Sequence, residues 1–148
     1  MKRFALLVVP ALAVLLAASP VSAIEYRSVS RHAILFDAPS TGARPLFILA
    51  PGTPVEVVVE SDAWVRVRDL SGAMNWLEGA ALSPQRTLMV TADRATIRSA
   101  PDHGAAIAFE ARRDVVLDLL APPQAGWAHV RHRDGQAGYV RITEVWGL

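Results

Sequence analysis

The chain has 148 residues, 52% of them hydrophobic and 20% charged, with a formal charge of +1 at pH 7 and no cysteine. That length fits one ordinary domain or two very small ones. The charge balance leaves no basic footprint for nucleic acid or anionic lipid, and the missing cysteines exclude disulfides, thiol nucleophiles, cysteine-based metal sites and a lipid-anchored export signal.

The first 23 residues read as a cleavable secretory signal. Lys2 and Arg3 form its charged start, residues 4–18 an apolar run interrupted only by Pro10, and residues 19–23 a small-residue stretch. The apolar run is shorter than the ~20 residues a spanning helix needs, which favours cleavage over a retained anchor. Val21 and Ala23 occupy the −3 and −1 positions of the site, so cleavage is expected between Ala23 and Ile24. Losing Lys2 and Arg3 turns the charge of +1 into −1 and leaves arginine as the only strong base. The expected location is the periplasm, with no membrane span after the signal is removed.

The remainder repeats itself. Ala33-Ile-Leu-Phe-Asp-Ala-Pro39 returns 62 residues later as Ala95-Thr-Ile-Arg-Ser-Ala-Pro101. Trp64-Val-Arg-Val-Arg68 returns 63 residues later as Trp127-Ala-His-Val-Arg131, and Gly72-Ala-Met-Asn-Trp-Leu77 returns at the same offset as Gly135-Gln-Ala-Gly-Tyr-Val140. Three matches in one order argue for duplication.

Each copy reads as short strands. Val55, Val57 and Val59 alternate with Glu56 and Glu60, the pattern of a half-buried strand. Val65 and Val67 point one way, Trp64, Arg66 and Arg68 the other. In the second copy Ala128 and Val130 oppose Trp127, His129 and Arg131. The stretch 69–72 and Asp134-Gly135 signal hairpin turns. Residues 115–120 are apolar enough for a buried strand. Helical period is confined to residues 77–81, a length for one 3₁₀ or α turn. Trp146 is expected to close a final strand. Short strands with regularly spaced turns predict an all-β protein of two tandem small barrels. The first spans 24–84 and the second 87–148, with so short a linker that the units should touch.

Copy two carries Ala95-Thr-Ile97-Arg98-Ser-Ala-Pro101, Gly126-Trp127-Ala-His-Val130 and Asp134-Gly135-Gln-Ala-Gly138-Tyr139-Val140. These motifs resemble those of the bacterial SH3-type (SH3b) domain. Copy one departs from the pattern: Phe36 stands where the motif has Arg98, Ala63 precedes Trp64, and Asn75 precedes Trp76. The resemblance implies an SH3-like barrel in each half. It also implies a cell-envelope setting, because such domains often target peptidoglycan alongside cell-wall hydrolases.

Chemistry-bearing clusters are few. His129 and His132 lie three apart on a strand, so they face opposite sides, and no third ligand stands at workable spacing. Glu56 and Glu60 share a strand face, as solvated carboxylates also do, and no G-x-S-x-G elbow is present. Arg98, Arg112, Arg113 and Arg131 are interspersed with Asp93, Asp102, Glu110 and Asp114, which reads as a salt-bridged surface. No enzyme activity, metal or cofactor is expected. The candidate ligand-binding residues are Trp64, Arg66, Trp127, His129, Arg131 and Tyr139, aromatic rings beside cations that can stack on a sugar or peptide. Trp64 and Trp127 also read as rings that cover the end of their own barrel or bury themselves between the copies, and Trp76 and Tyr139 as core or hinge aromatics. The expected function is that of a binding module for peptidoglycan or envelope peptides, and the alternative is a protein–protein assembly adaptor. The second copy, which keeps the motifs, is the better candidate to bind.

Overall fold

The computed structural model describes residues 23–148. The signal-peptide expectation falls on residues 1–23 and so lies outside the described residues apart from Ala23.

Two seven-stranded antiparallel sheets follow one another. The first holds β1 (Glu25–Val29), β2 (Ala33–Phe36), β3 (Pro45–Leu49), β4 (Pro54–Ser61), β5 (Trp64–Arg68), β6 (Met74–Glu78) and β7 (Leu82–Ser83). The second holds β8 (Thr87–Val90), β9 (Arg94–Arg98), β10 (Ile107–Arg112), β11 (Val116–Leu119), β12 (Trp127–Arg131), β13 (Ala137–Arg141) and β14 (Val145–Trp146). The spatial orders are β3-β2-β6-β5-β4-β1-β7 and β10-β9-β13-β12-β11-β8-β14. Matched strand by strand these are one topology, so the duplication in the sequence is a duplication in space.

Period-two patterning sets the cores. Val65 and Val67 are buried between half-buried Trp64, Arg66 and Arg68. On β12 Ala128 and Val130 are buried too, flanking half-buried His129, with Trp127 also buried and Arg131 exposed. Leu35, Val55, Val67 and Leu77 anchor the first core, and Leu88, Ile97, Leu117 and Val140 the second. The hairpin signals form as expected. The Gly72 N–H donates to Asp69 O (2.9 Å) and the Gly135 N–H to His132 O (2.9 Å). Both glycines take positive φ, 87° and 95°, the conformation such turns demand.

Two expectations need correction. The alternation on β4 stops at a bulge between Val57 and Val59, so Val58 and Val59 are 37% and 46% exposed. The extra residue of a bulge breaks the period-two pattern. The buried strand expected at 115–120 is β11, in which only Leu117 is fully buried. The single turn expected within residues 77–81 is a 3₁₀ turn, Gly79–Ala81, and a second such turn, Ile142–Glu144, occurs at the matching place in copy two.

The units are pinned together across the linker. Thr87, 3% exposed, donates its hydroxyl to Gly52 O of the first unit at 2.7 Å. Arg86 donates Nη2 to Gly147 O (2.8 Å) and lies over the Tyr26 ring, 5.6 Å from its centroid. Tyr26 in turn meets Trp146 edge-on. Gln85 Nε2 donates to Asp118 Oδ1 (3.0 Å). Trp146 therefore ends on the partner unit as well as closing its own sheet through β8.

Candidate functional site

The six candidate residues do not form one site. Arg66 and Trp64 belong to the first unit, where Trp64 packs edge-on against Phe36 with centroids 5.5 Å apart. Phe36 occupies the place that Arg98 holds in the second unit. Arg98 points its guanidinium into the following loop, donating Nη1 to Ala105 O at 2.8 Å. One copy thus spends this position on an aromatic pair, the other on holding a loop. Arg131 turns away from Trp127 and lies 3.6 Å from Asp118, in the cleft between the units.

Trp127, His129 and Tyr139 do come together. They line a groove of about 380 Å³ whose rim is Pro101, Ala121, Pro122, Gln124 and Ala125. His129 and Tyr139 are cross-strand partners on β12 and β13. Their rings stack, with centroids 4.5 Å apart and planes 10° from parallel. Trp127 forms the base and is only 8% exposed. Arg141 lies over its ring at 5.3 Å, His103 meets it at 5.3 Å, and these two side chains touch each other. Of the two readings of Trp127, an open stacking platform or a ring covered within the fold, the structure has the covered one: Arg141 and His103 lie against its ring. Tyr139 and Trp76, read as possible core residues, are half-buried beside the buried Val140 and Leu77.

The groove exists in one copy for a reason visible in the chain. In the first unit β4 runs on to Ser61, and Ser61 pairs with Trp64 across a tight turn. In the second, β11 stops at Leu119, and Pro122 and Pro123 follow. Proline has no N–H for the ladder, so residues 121–124 leave the sheet and stand up as a wall. The chain rejoins at Gln124, which exchanges both backbone hydrogen bonds with Trp127 at 2.9 Å. Ala125 and Gly126 form the turn between them, with φ of 50° and 85°. The wall residues escaped the sequence reading. The Pro-Pro dipeptide is the signal that marks them.

Charges elsewhere on this unit are mostly paired. Arg94 binds Glu110 (3.0 Å) and Arg113 binds Asp93 (2.9 Å). Asp134, at the β12–β13 turn, accepts from the Gln136 backbone and side chain and lies 3.0 Å from His132. Those hydrogen bonds pull its pKa down to about 2. His129 faces the groove and His132 does not. Among the described residues no three His, Asp or Glu side chains gather as a metal site, and no helix is long and apolar enough to cross a membrane.

A family model described as "Bacterial SH3 domain" matches residues 29–84 and again 91–147. The chain belongs to the bacterial SH3 domain family. Its two SH3 units coincide with the two sheets, and the groove lies in the second. No curated protein matches the chain. Among solved structures it is similar to NlpC2 from Trichomonas vaginalis, at 15% identity over 84% of this chain and 48% of that one, TM-score 0.38. NlpC1 from the same organism gives 18% identity over 91% and 50%, TM-score 0.38. An NlpC/P60 family protein from Bacillus cereus gives 16% over 82% and 56%, TM-score 0.37. The chain thus spans about half the length of these structures.

Proposed function

We propose that this protein is a non-enzymatic binding module of the bacterial cell envelope, and that the second SH3 unit takes peptidoglycan or an envelope peptide in its groove. The observation that carries this reading is the stacked His129–Tyr139 pair beside the proline wall. The two rings stack face to face, and with a rim of Pro101 and Pro122 they make a half-apolar surface on which a sugar or an extended peptide can lie. Membership of the bacterial SH3 family supports a binding role. The charged start and apolar run of residues 1–23 support export to the periplasm with cleavage before Ile24.

The test is co-sedimentation with purified sacculi. Wild-type protein should pellet with them, and Tyr139→Ala should lose most of that binding while its circular dichroism stays unchanged. Equal binding by both proteins, or no binding by the wild type, would overturn the groove assignment. Mass spectrometry of the exported protein should find Ile24 at the N-terminus.

A second reading, an assembly adaptor, is favoured by β3. This edge strand carries no charged residue, and Phe47 and Ile48 are 61% and 69% exposed. Its counterpart β10 bears Glu110 and Arg112. Uncharged edges are where extended segments add as further strands. Envelope cross-linking that captures a protein partner, lost in Phe47→Lys but indifferent to sacculus digestion, would favour it.

A further inference from the structure

A cavity of about 580 Å³, larger than the groove, lies in the cleft between the two SH3 units. Its two walls differ in chemistry. The first unit and the linker contribute hydroxyls, Ser28, Ser30 and Ser83, and no ionised side chain. The second unit contributes charge of both signs, chiefly Asp114, Asp118, Arg131 and Arg133. We propose that this cleft is a second binding site, for a short peptide with free, oppositely charged ends.

Two of these charges are committed and two are not. Asp118 accepts from Gln85 and faces Arg131, so this pair is oriented from the linker and the opposite strand. Arg133 and Asp114 have no side-chain partner among the described residues. The Asp114 backbone is fixed nonetheless. It takes φ of 68° and donates its N–H to Val90 O at 2.9 Å. A guanidinium and a carboxylate, both unpaired and both at one cleft, match the carboxylate and ammonium of a zwitterion. The hydroxyl wall can bond the peptide groups between. The Thr87–Gly52 hydrogen bond and the Tyr26–Trp146 ring contact hold the walls at a set spacing, so little order has to be gained on binding. Neither unit alone has this site. It is separate from the groove and stands whether or not the groove binds sacculi.

The experiment is an NMR titration of the isotopically labelled protein with trialanine bearing free ends, in parallel with trialanine acetylated and amidated. Amide signals of Ser30, Gly52, Asp114 and Arg133 should shift with the free peptide. Substituting Arg133→Gln or Asp114→Asn should each weaken binding about tenfold, the effect of losing one charged contact, and capping both ends, which removes two, should weaken it about a hundredfold. Asparagine tolerates the left-handed backbone at 114, and position 133 is exposed, so both variants should fold. Tyr139→Ala should bind as wild type. Equal affinity for the capped peptide, unchanged binding by both charge variants, or shifts confined to His129 and Tyr139 would overturn the proposal.

Discussion

Tyr26 of the first SH3 unit and Trp146 of the second meet edge-to-face, their centroids 5.2 Å apart and their planes at 87°. The two residues lie 120 positions apart in the chain, and together with Arg86 they join the units. An edge-on aromatic pair contributes about 0.5–1.5 kcal/mol beyond the area it buries. A double-mutant cycle on Tyr26→Leu and Trp146→Leu, read by urea unfolding, should return a coupling of about that size. Additive effects would mean that the rings do not join the units energetically.

The same tyrosine gives the junction a pH limit. Burial raises the Tyr26 pKa above the ordinary 10.0, Glu56 raises it further, and Arg86 and Arg68 oppose the shift. A phenol whose folded pKa is raised stabilises the fold fully below the unfolded value. That stability is lost as pH rises through the folded value. Stability should therefore fall above pH 10 in the wild type and fall less in Tyr26→Phe, as followed by thermal melts across that range.

At the acid end the relevant group is Asp134. Its pKa is lowered from 3.8 to about 2, chiefly by the backbone N–H of Gln136 and then by the Gln136 side chain and His132. A lowered carboxylate pKa stabilises above the unfolded value and loses its effect as pH falls toward the folded one. Between about pH 4 and pH 2 the turn should loosen, and Asp134→Asn should remove that part of the acid dependence. Hydrogen exchange of the Gln136 and His132 amides is the measurement.

Trp127 and Tyr139 should separate stability from binding. Trp127 is buried beneath Arg141 and His103, so Trp127→Ala should cost about 3–5 kcal/mol of stability, the range for large aromatics removed from a core. Loss of binding in that variant would report unfolding. Tyr139→Ala, at a half-buried outer position, should leave stability within about 1.5 kcal/mol of wild type, the scale of one aromatic contact, and remove the stacking surface. Urea unfolding beside sacculus binding distinguishes the two.

Two backbone positions should respond in opposite directions. A Cβ on Gly138 would stand 2.5 Å from Arg98 O and 2.6 Å from Ile97 Cγ2, so Gly138→Ala should destabilise the second unit by about 1–3 kcal/mol. Ala125 sits at φ 50°, where an alanine is strained by about 1–2 kcal/mol. Ala125→Gly relieves that strain and should raise the melting temperature, and an unchanged or lower one would contradict the strain assignment.

The hydrophobic alternation and the repeated motifs were enough to reveal an all-β chain of two like units, because both depend on local spacing. Val65 and Val67 against Trp64 and Arg66 are readable from period two alone. So is the turn at Asp134-Gly135, where backbone conformation and residue type are tightly linked. The fate of each outward ring was not readable in this way. Trp127 and Tyr139 both lie on outward faces, yet one is covered and the other lines a groove. That difference arises from His103 on the β9–β10 loop and Arg141 on β13, which reach Trp127 from elsewhere in the chain, and from a proline wall that rises because Pro122 and Pro123 cannot join the ladder. Arg131 shares a face with Trp127 along the strand, but Asp118 on the neighbouring strand draws it into the cleft between the units. Local sequence therefore determined the strands, the turns and the duplication. Only the tertiary structure decided which side chains meet, because those contacts join residues far apart in the chain, and period and propensity carry no information about them.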